Sequence, residues 1–370
     1  MINEERIVGN FIEYVKIDSP TKEELVFAQF IMARMEELGM EVTMDDAGKD
    51  VGSNSGNVIG KLKGNDTGTP VLFSCHMDTV SPGRGIKPEI RDGIICSDGT
   101  TILGADDKAG IAAILEAIAV LKETNTDHGD IEVVFSIYEE GGLYGAKGLD
   151  YTKLSAKKAF VMDSGGDPGT IIYKGPAQNK IDIKFIGLEA HAGVAPEAGV
   201  SAISIAAEAI SQMKLLRIDE ETTANIGIIK GGSATNIVTP LVTVEAEARS
   251  LDDAKLKAQT DHMIECCERA AETFQGKVEI NVDNVYGAFE VAKDHEIIRD
   301  VEKANERLGF KTEITTTGGG SDTNIFNGKG IPAINLAIGE MKPHTLEEHI
   351  HIKDLVNSAK LALELMKINA

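Results

Sequence analysis

The feature that most constrains this chain is a set of short apolar runs that each stop on a carboxylate or an imidazole. Val71–Ser74 leads into Cys75-His76-Met77-Asp78, Ile131–Ile137 into Tyr138-Glu139-Glu140-Gly141-Gly142, and Ala159–Met162 into Asp163-Ser164-Gly165-Gly166. Brief runs rich in Val, Ile and Phe predict buried strands. Between the first two lies Gly104–Leu121, whose Ile111, Ile114, Leu115 and Ile118 form one helical stripe. Strand, helix and strand in alternation predict an α/β fold with a mixed, mostly parallel sheet. In such sheets ligands bind beyond the carboxyl ends of the strands, and the acids and histidines fall there.

The flanking sequence extends this pattern. Residues 3–18 and 22–38 read as amphipathic helices separated by Ser19-Pro20-Thr21, and Thr21 with Glu24 carries a capping-box signature. Strands are expected around Glu41–Met44 and Asn57–Leu62. The character changes near Gln178. Lys180–Gly187, Ile226–Lys230, Val242–Ala248 and Lys277–Asn284 read as strands, and Ser201–Leu215 and Asp252–Gln275 as helices. This β-α-β-β-α-β order is ferredoxin-like. The α/β pattern then resumes with a helix at Asp294–Leu308, the run Gly318-Gly319-Gly320, a strand at Ala333–Ala337 and a helix at Ile352–Ile368. The expected organisation is a discontinuous α/β domain, 1–177 with 291–370, interrupted by an inserted α+β domain, 178–290.

Charge narrows the partners. Thirty-seven Lys and Arg against 59 Asp and Glu leave a net charge of −22. Nucleic acid and anionic membrane surfaces attract basic patches, so neither is an expected partner. No window is long and apolar enough for a membrane span, and the acidic N-terminal stretch is unlike a signal peptide; the cytoplasm is the expected location. Four cysteines in this length argue against a disulfide framework. Cys266 and Cys267 lie in a helical pattern and read as buried thiols.

The strand ends present His76 with Asp78, Glu139 with Glu140, and Asp163; Asp106 stands at a helix start. Together His, Asp and Glu suit zinc, or manganese or cobalt. Cys75 should point away from His76 on an extended segment. Each residue also has an ordinary reading: a lone histidine at a strand end, a solvated Glu-Glu pair, an Asp-Asp helix cap. Their succession along one sheet favours a shared site.

Ser74-Cys75-His76-Met77-Asp78-Thr79, Gly104-Ala105-Asp106-Asp107-Lys108-Ala109-Gly110, Glu139-Glu140-Gly141 and His344-Thr345-Leu346-Glu347-Glu348 resemble the co-catalytic dinuclear zinc aminoacylase/carboxypeptidase family. Ser97-Asp98-Gly99-Thr100-Thr101-Ile102-Leu103 is similar to its peptidase T-like branch, the tripeptide aminopeptidases. The resemblance spans nearly the whole chain. It implies a zinc-binding catalytic domain, an inserted lid or dimerisation domain, and two zinc ions. His76, Asp106 and Asp163 would hold one ion, and Asp106, Glu140 and His344 the other. Glu139 would be the general base, Asp78 the carboxylate that orients the His76 imidazole, and Asp107 the helix cap. His191 would stabilise the developing oxyanion, in some relatives across a homodimer interface. Asn236 and Arg249 would bind substrate, with Arg249 suited to a carboxylate. Gly319, Gly320, Ser321 and Asp322 would form the glycine loop lining the pocket. His349 and His351 look like a strand-edge pattern; His128, His262 and His295 read as surface. The implied substrate is a small peptide. One departure is the short stretch from Thr79 to Ser97, which leaves room for a second substrate class, N-acyl amino acids or another small amide.

Overall fold

The computed structural model of the chain describes residues 1–65 and 68–369. They form two compact units, one comprising Met1–Lys174, Glu290–Thr316 and Ser321–Ala370, the other Gly175–Phe289 and Thr317–Gly320. The return of Thr317–Gly320 to the second unit is a feature that the expected boundaries, 177/178 and 290/291, do not contain.

The first unit is built on a mixed sheet in the order Glu41–Met44, Val58–Leu62, Ile131–Ser136, Val71–His76, Lys158–Ser164, Ala333–Ala337 and Thr170–Gly175. Ile131–Ser136, Val71–His76, Lys158–Ser164 and Ala333–Ala337 run parallel to one another; the other pairs in this order are antiparallel, and Glu313–Thr316 adds a parallel pairing to Thr170–Gly175. Every residue of Val71–His76 and Ile131–Ser136 is buried. Parallel strands covered on both faces read as continuous apolar runs for this reason. The helix Ala105–Thr124 is buried on nearly all sides and packs on Ile352–Ile368. Its approach to the sheet is close: a Cβ at Gly110 would stand 2.4 Å from the Met162 carbonyl oxygen and 2.6 Å from Cys75 Sγ. Only glycine fits there, and that contact fixes where the helix begins relative to the strand ends.

A smaller sheet orders Glu340–Met341, His349–His351, Ile94–Ser97 and Pro88–Arg91. The stretch between Thr79 and Ser97 thus contains a β-hairpin. Its turn residues Asp92 and Gly93 have φ of 49° and 79°, the backbone that an Asp-Gly two-residue loop favours.

The second unit is an antiparallel sheet ordered Leu216–Arg217, Thr222–Gly231, Leu241–Ser250, Ala177–Ile186 and Lys277–Tyr286. Helices Ala202–Gln212 and Asp253–Thr273 enclose a core that includes Ile181, Ile183, Phe185, Val242, Val244 and Met263. The first and second long strands in chain order flank the third, which is the ferredoxin-like arrangement. Cys266 and Cys267 are buried free thiols in the longer helix.

Candidate metal centre

The parallel strands bring their carboxyl ends together, and the acids and histidines of the first unit meet there. His76 ends its strand, Asp163 lies near the end of the neighbouring one, and Glu139 and Glu140 follow Ile131–Ser136. Asp106 sits in a non-helical kink at the start of Ala105–Thr124, where the Asp106–Asp107 peptide is cis. His344 arrives on the turn between Glu340–Met341 and His349–His351. Asp106 presents one oxygen to each histidine: Oδ1 is 2.8 Å from His76 Nε2, and Oδ2 is 3.0 Å from His344 Nε2. His76 Nε2 also lies 3.7 Å from Asp163 Oδ1, and His344 Nε2 lies 2.9 Å from Glu140 Oε1.

Each imidazole Nε2 therefore faces two carboxylate oxygens, and a single ring nitrogen cannot donate a proton to both. Nitrogen and oxygen lone pairs converging in this way are a ligand shell for a cation. Ligand atoms of His76, Asp106 and Glu140 lie within 4.8 Å of one another, as do those of His76, Asp107 and Asp163. Among the described residues, Asp106, Glu140 and Asp163 are ion-paired to histidine and to no lysine or arginine. A borderline dication fits these donors.

Electrostatics point the same way. Burial pushes the Glu139 carboxyl well above the usual range, and Asp163, Glu140 and Asp322 push it further. Burial also raises Asp163 and Glu140. Asp106 is the exception: burial opposes its ionisation, but His344 and His76 outweigh burial and hold it below the carboxylate range. His344 is raised to about 10 by Asp106 and Glu140. So many buried acids with so little positive charge nearby leave a charge deficit that a bound cation would offset.

A second layer of contacts holds the ligands in place. His76 Nδ1 is 2.8 Å from the Asp78 carbonyl oxygen. Since a carbonyl only accepts, Nδ1 carries the proton and Nε2 turns its lone pair to the site. The Asp78 carboxylate is farther from that ring, at 3.5 Å. Its short contacts are instead the backbone N–H groups of Glu139 at 2.9 Å and Glu140 at 3.3 Å, and the Thr21 hydroxyl at 2.8 Å. Asp78 thus grips the Glu139–Glu140 loop. Glu348 does the same for Asp106, accepting from the N–H groups of Leu103, Gly104 and Asp106 at 2.8, 2.9 and 3.1 Å.

Several local expectations need correction. Asp107 does not cap the helix; it is buried, and its carboxylate accepts from the His76 N–H at 3.1 Å. Thr21 and Glu24 form no capping box, because Glu24 is helical in backbone and makes no cap bond. His128 is buried, with Nδ1 2.8 Å from the Gly129 carbonyl oxygen. Two further acids lie buried in this unit. Asp322, at the end of the glycine loop, is buried, accepts from Ser136 Oγ at 2.5 Å, and is raised to about 6 by burial. Glu340 is buried with Oε2 unpartnered and is pushed up by burial beside Asp106 and Asp163. Glu340 had no motif in the sequence to mark it.

The remaining candidates are of a different kind. Ser321 caps the helix Asp322–Gly328 in a reciprocal capping box with Asn324. In the second unit, His191 is exposed in the short strand Ala190–His191, and its Nδ1 accepts from the Gly193 N–H at 3.2 Å. Asn236 is exposed in a turn whose carbonyl accepts from Ala192 N–H at 2.9 Å. Arg249 forks onto Glu247, with Nε and Nη2 at 3.1 and 3.0 Å from its two oxygens. Gly319 lies in a bend, and at Gly320 a Cβ would stand 2.1 Å from the Tyr286 ring.

Residues 72–368, which carry every first-unit candidate ligand named above, match the model of peptidase family M20/M25/M40. The chain is 44% identical over 367 residues to the uncharacterised protein YqjE of Bacillus subtilis, covering 99% of each. The crystal structure of aminopeptidase PepT from Bacillus cereus superposes with a TM-score of 0.89 at 45% identity, covering 99% of each chain. A tripeptidase from Staphylococcus aureus superposes at 0.95 with 42% identity, covering 100% of this chain and 99% of that one. With a cation shell at the strand ends and likeness of this extent, the chain belongs to peptidase family M20/M25/M40, in its peptidase T-like branch, and is a metallopeptidase of that family.

Proposed function

We propose that the chain hydrolyses small peptides, tripeptides foremost, releasing the N-terminal residue at a site that holds two zinc ions, with manganese or cobalt as alternatives. His76, Asp106 and Asp163 hold one ion; Asp106, Glu140 and His344 hold the other. When bound, the ions supply Lewis acidity to the scissile carbonyl and acidify the attacking water. The observation that carries this reading is Asp106, with one oxygen toward each histidine, as a bridging carboxylate requires.

Glu139 is the general base. It adjoins the ligand Glu140 and is buried at the strand end. Its carboxylate takes the proton from the attacking water and passes it to the leaving amine. Its raised affinity for a proton reflects burial among acids. Asp78 keeps the base and its neighbour in place through their N–H groups. His191 stabilises the oxyanion, Arg249 exchanges Glu247 for a substrate carboxylate, and Asn236, Gly319, Gly320 and Ser321 line the substrate path. The enzyme acts in the cytoplasm, and a homodimer formed through the second unit is its expected assembly.

The alternative keeps the centre and changes the substrate to N-acyl amino acids or another small amide. The compact hairpin between Thr79 and Ser97 favours retaining it, because that segment is where extra substrate contacts would be built. A panel of di-, tri- and tetrapeptides blocked at either end, assayed alongside metal content, separates the two. Release of free N-terminal residues from tripeptides, at about two metals per chain, is expected. Turnover confined to N-acyl amino acids would replace the peptidase reading.

A further inference from the structure

Three consecutive backbone N–H groups, those of Tyr138, Glu139 and Glu140, are held by two buried carboxylates. Asp78 takes the second and third. Glu24 takes the first: its Oε1 accepts from Tyr138 N–H at 3.1 Å and from Lys22 N–H at 2.9 Å, while Oε2 accepts from Ser53 Oγ at 2.8 Å. Glu24 is fully buried, so the acceptor side of each of these bonds is shielded from competing water.

What Glu24 holds is an unfavourable turn. Tyr138 has φ of 50°, a region that bulky side chains avoid. Its ring lies over Gly141, where a Cβ would stand 1.7 Å from a ring carbon, and 4.8 Å from the Tyr144 ring centroid. Lys22 Nζ lies 5.0 Å from the Tyr138 centroid. The backbone reverses at Tyr138, immediately before Glu139. A small rotation of the Tyr138–Glu139 peptide would swing the Glu139 carboxylate through a large arc, and misplacement of about 1 Å can cost about 10²-fold in rate.

We infer that Glu24 is a positioning residue for the reaction: by fixing the Tyr138 N–H it sets where Glu139 delivers its carboxylate. The inference rests on the reading of Glu139 as the base. It attaches a residue from the start of the second helix, 115 positions upstream in the numbering, to the proton-transfer step. The acceptor must reach Tyr138, so length matters more than charge. A glutamine in this place keeps an oxygen for both N–H groups, and its amide can donate to Ser53. An aspartate keeps the charge but is one methylene short.

Three variants of the metal-loaded enzyme test this with a tripeptide substrate. Glu24→Asp should lower kcat about 10²-fold with KM within about twofold and metal content unchanged, whereas Glu24→Gln should stay within a fewfold of wild type. Tyr138→Gly leaves every carboxylate in place but frees the backbone, and should lower kcat about tenfold; it carries the test if Glu24→Asp does not fold. Wild-type kcat in Glu24→Asp, or a dead Glu24→Gln beside an active Glu24→Asp, overturns the inference. If Glu24→Asp fails to fold, wild-type kcat in Tyr138→Gly does so instead. Glu139→Gln is measured in parallel: turnover there removes the base assignment itself, whatever the Glu24 variants do.

Discussion

The two units hold their candidate residues in opposite ways. In the first, His76, Asp106, Glu139 and Asp163 are buried or nearly so, with only His344 half exposed, and their backbone N–H groups are tied to segments farther away in sequence by Asp107, Glu348, Asp78 and Asn335. In the second, His191 and Asn236 are exposed, and the bond to His191 Nδ1 and the fork of Arg249 onto Glu247 each join residues two positions apart. The difference separates two demands. Metal binding and proton transfer need atoms fixed within fractions of an ångström, which buried strand ends and clamped turns supply. Contacts to a substrate that enters and leaves need side chains free to move, which short exposed strands and turns supply.

That contrast can be broken at four points, in order of expected effect. Glu139→Gln should abolish measurable turnover, a loss of at least about 10³-fold, while metal content stays near two per chain. Loss of the metals together with the activity would make Glu139 a ligand rather than a base. His344→Ala should release about one of the two metals and lower activity by a similar order, whereas His351→Ala, in the small sheet, should keep both. The reverse result in elemental analysis would move the ligand. His191→Ala should lower kcat about 10²-fold with an unchanged melting temperature; an equal fall in stability would make that histidine structural and erase the distinction between the units. The smallest effect belongs to Arg249→Met, which should raise KM about tenfold for peptides with a free C-terminus and leave C-terminal amides unaffected.

The parts visible in the sequence were those whose physics is local. Fully buried parallel strands announce themselves as apolar runs, and the residue that ends each run lands at the crevice, which is why His76, Glu139 and Asp163 could be picked out before any fold was known. The Asp92-Gly93 hairpin was equally local, and its two-residue signal was there to be read. Glu24 was not legible in the same way. A Thr-x-x-Glu pattern before an apolar run is what a capping box looks like, and only tertiary structure redirects Thr21 to Asp78 and Glu24 to Tyr138. Asp107 misled for the same reason, since an acid at a helix start usually serves the helix and here serves a strand. Glu340 had no pattern at all, because a buried acid is defined by what surrounds it.

The Glu348 clamp has a consequence for how the enzyme comes into being. The oxygen atoms that hold the turn at Asp106 belong to a residue 242 positions later, on the same short loop that brings His344. Neither the turn at Asp106 nor its contact with His344 can be set until that late loop has been synthesised and docked. A nascent chain that has produced the strands, the helix and even Glu139 still lacks the piece that closes the centre. Synthesis from the N-terminus therefore makes the assembly of this cluster a late event, and a ribosome that stops before His344 leaves a chain without both the clamp and the second histidine on Asp106.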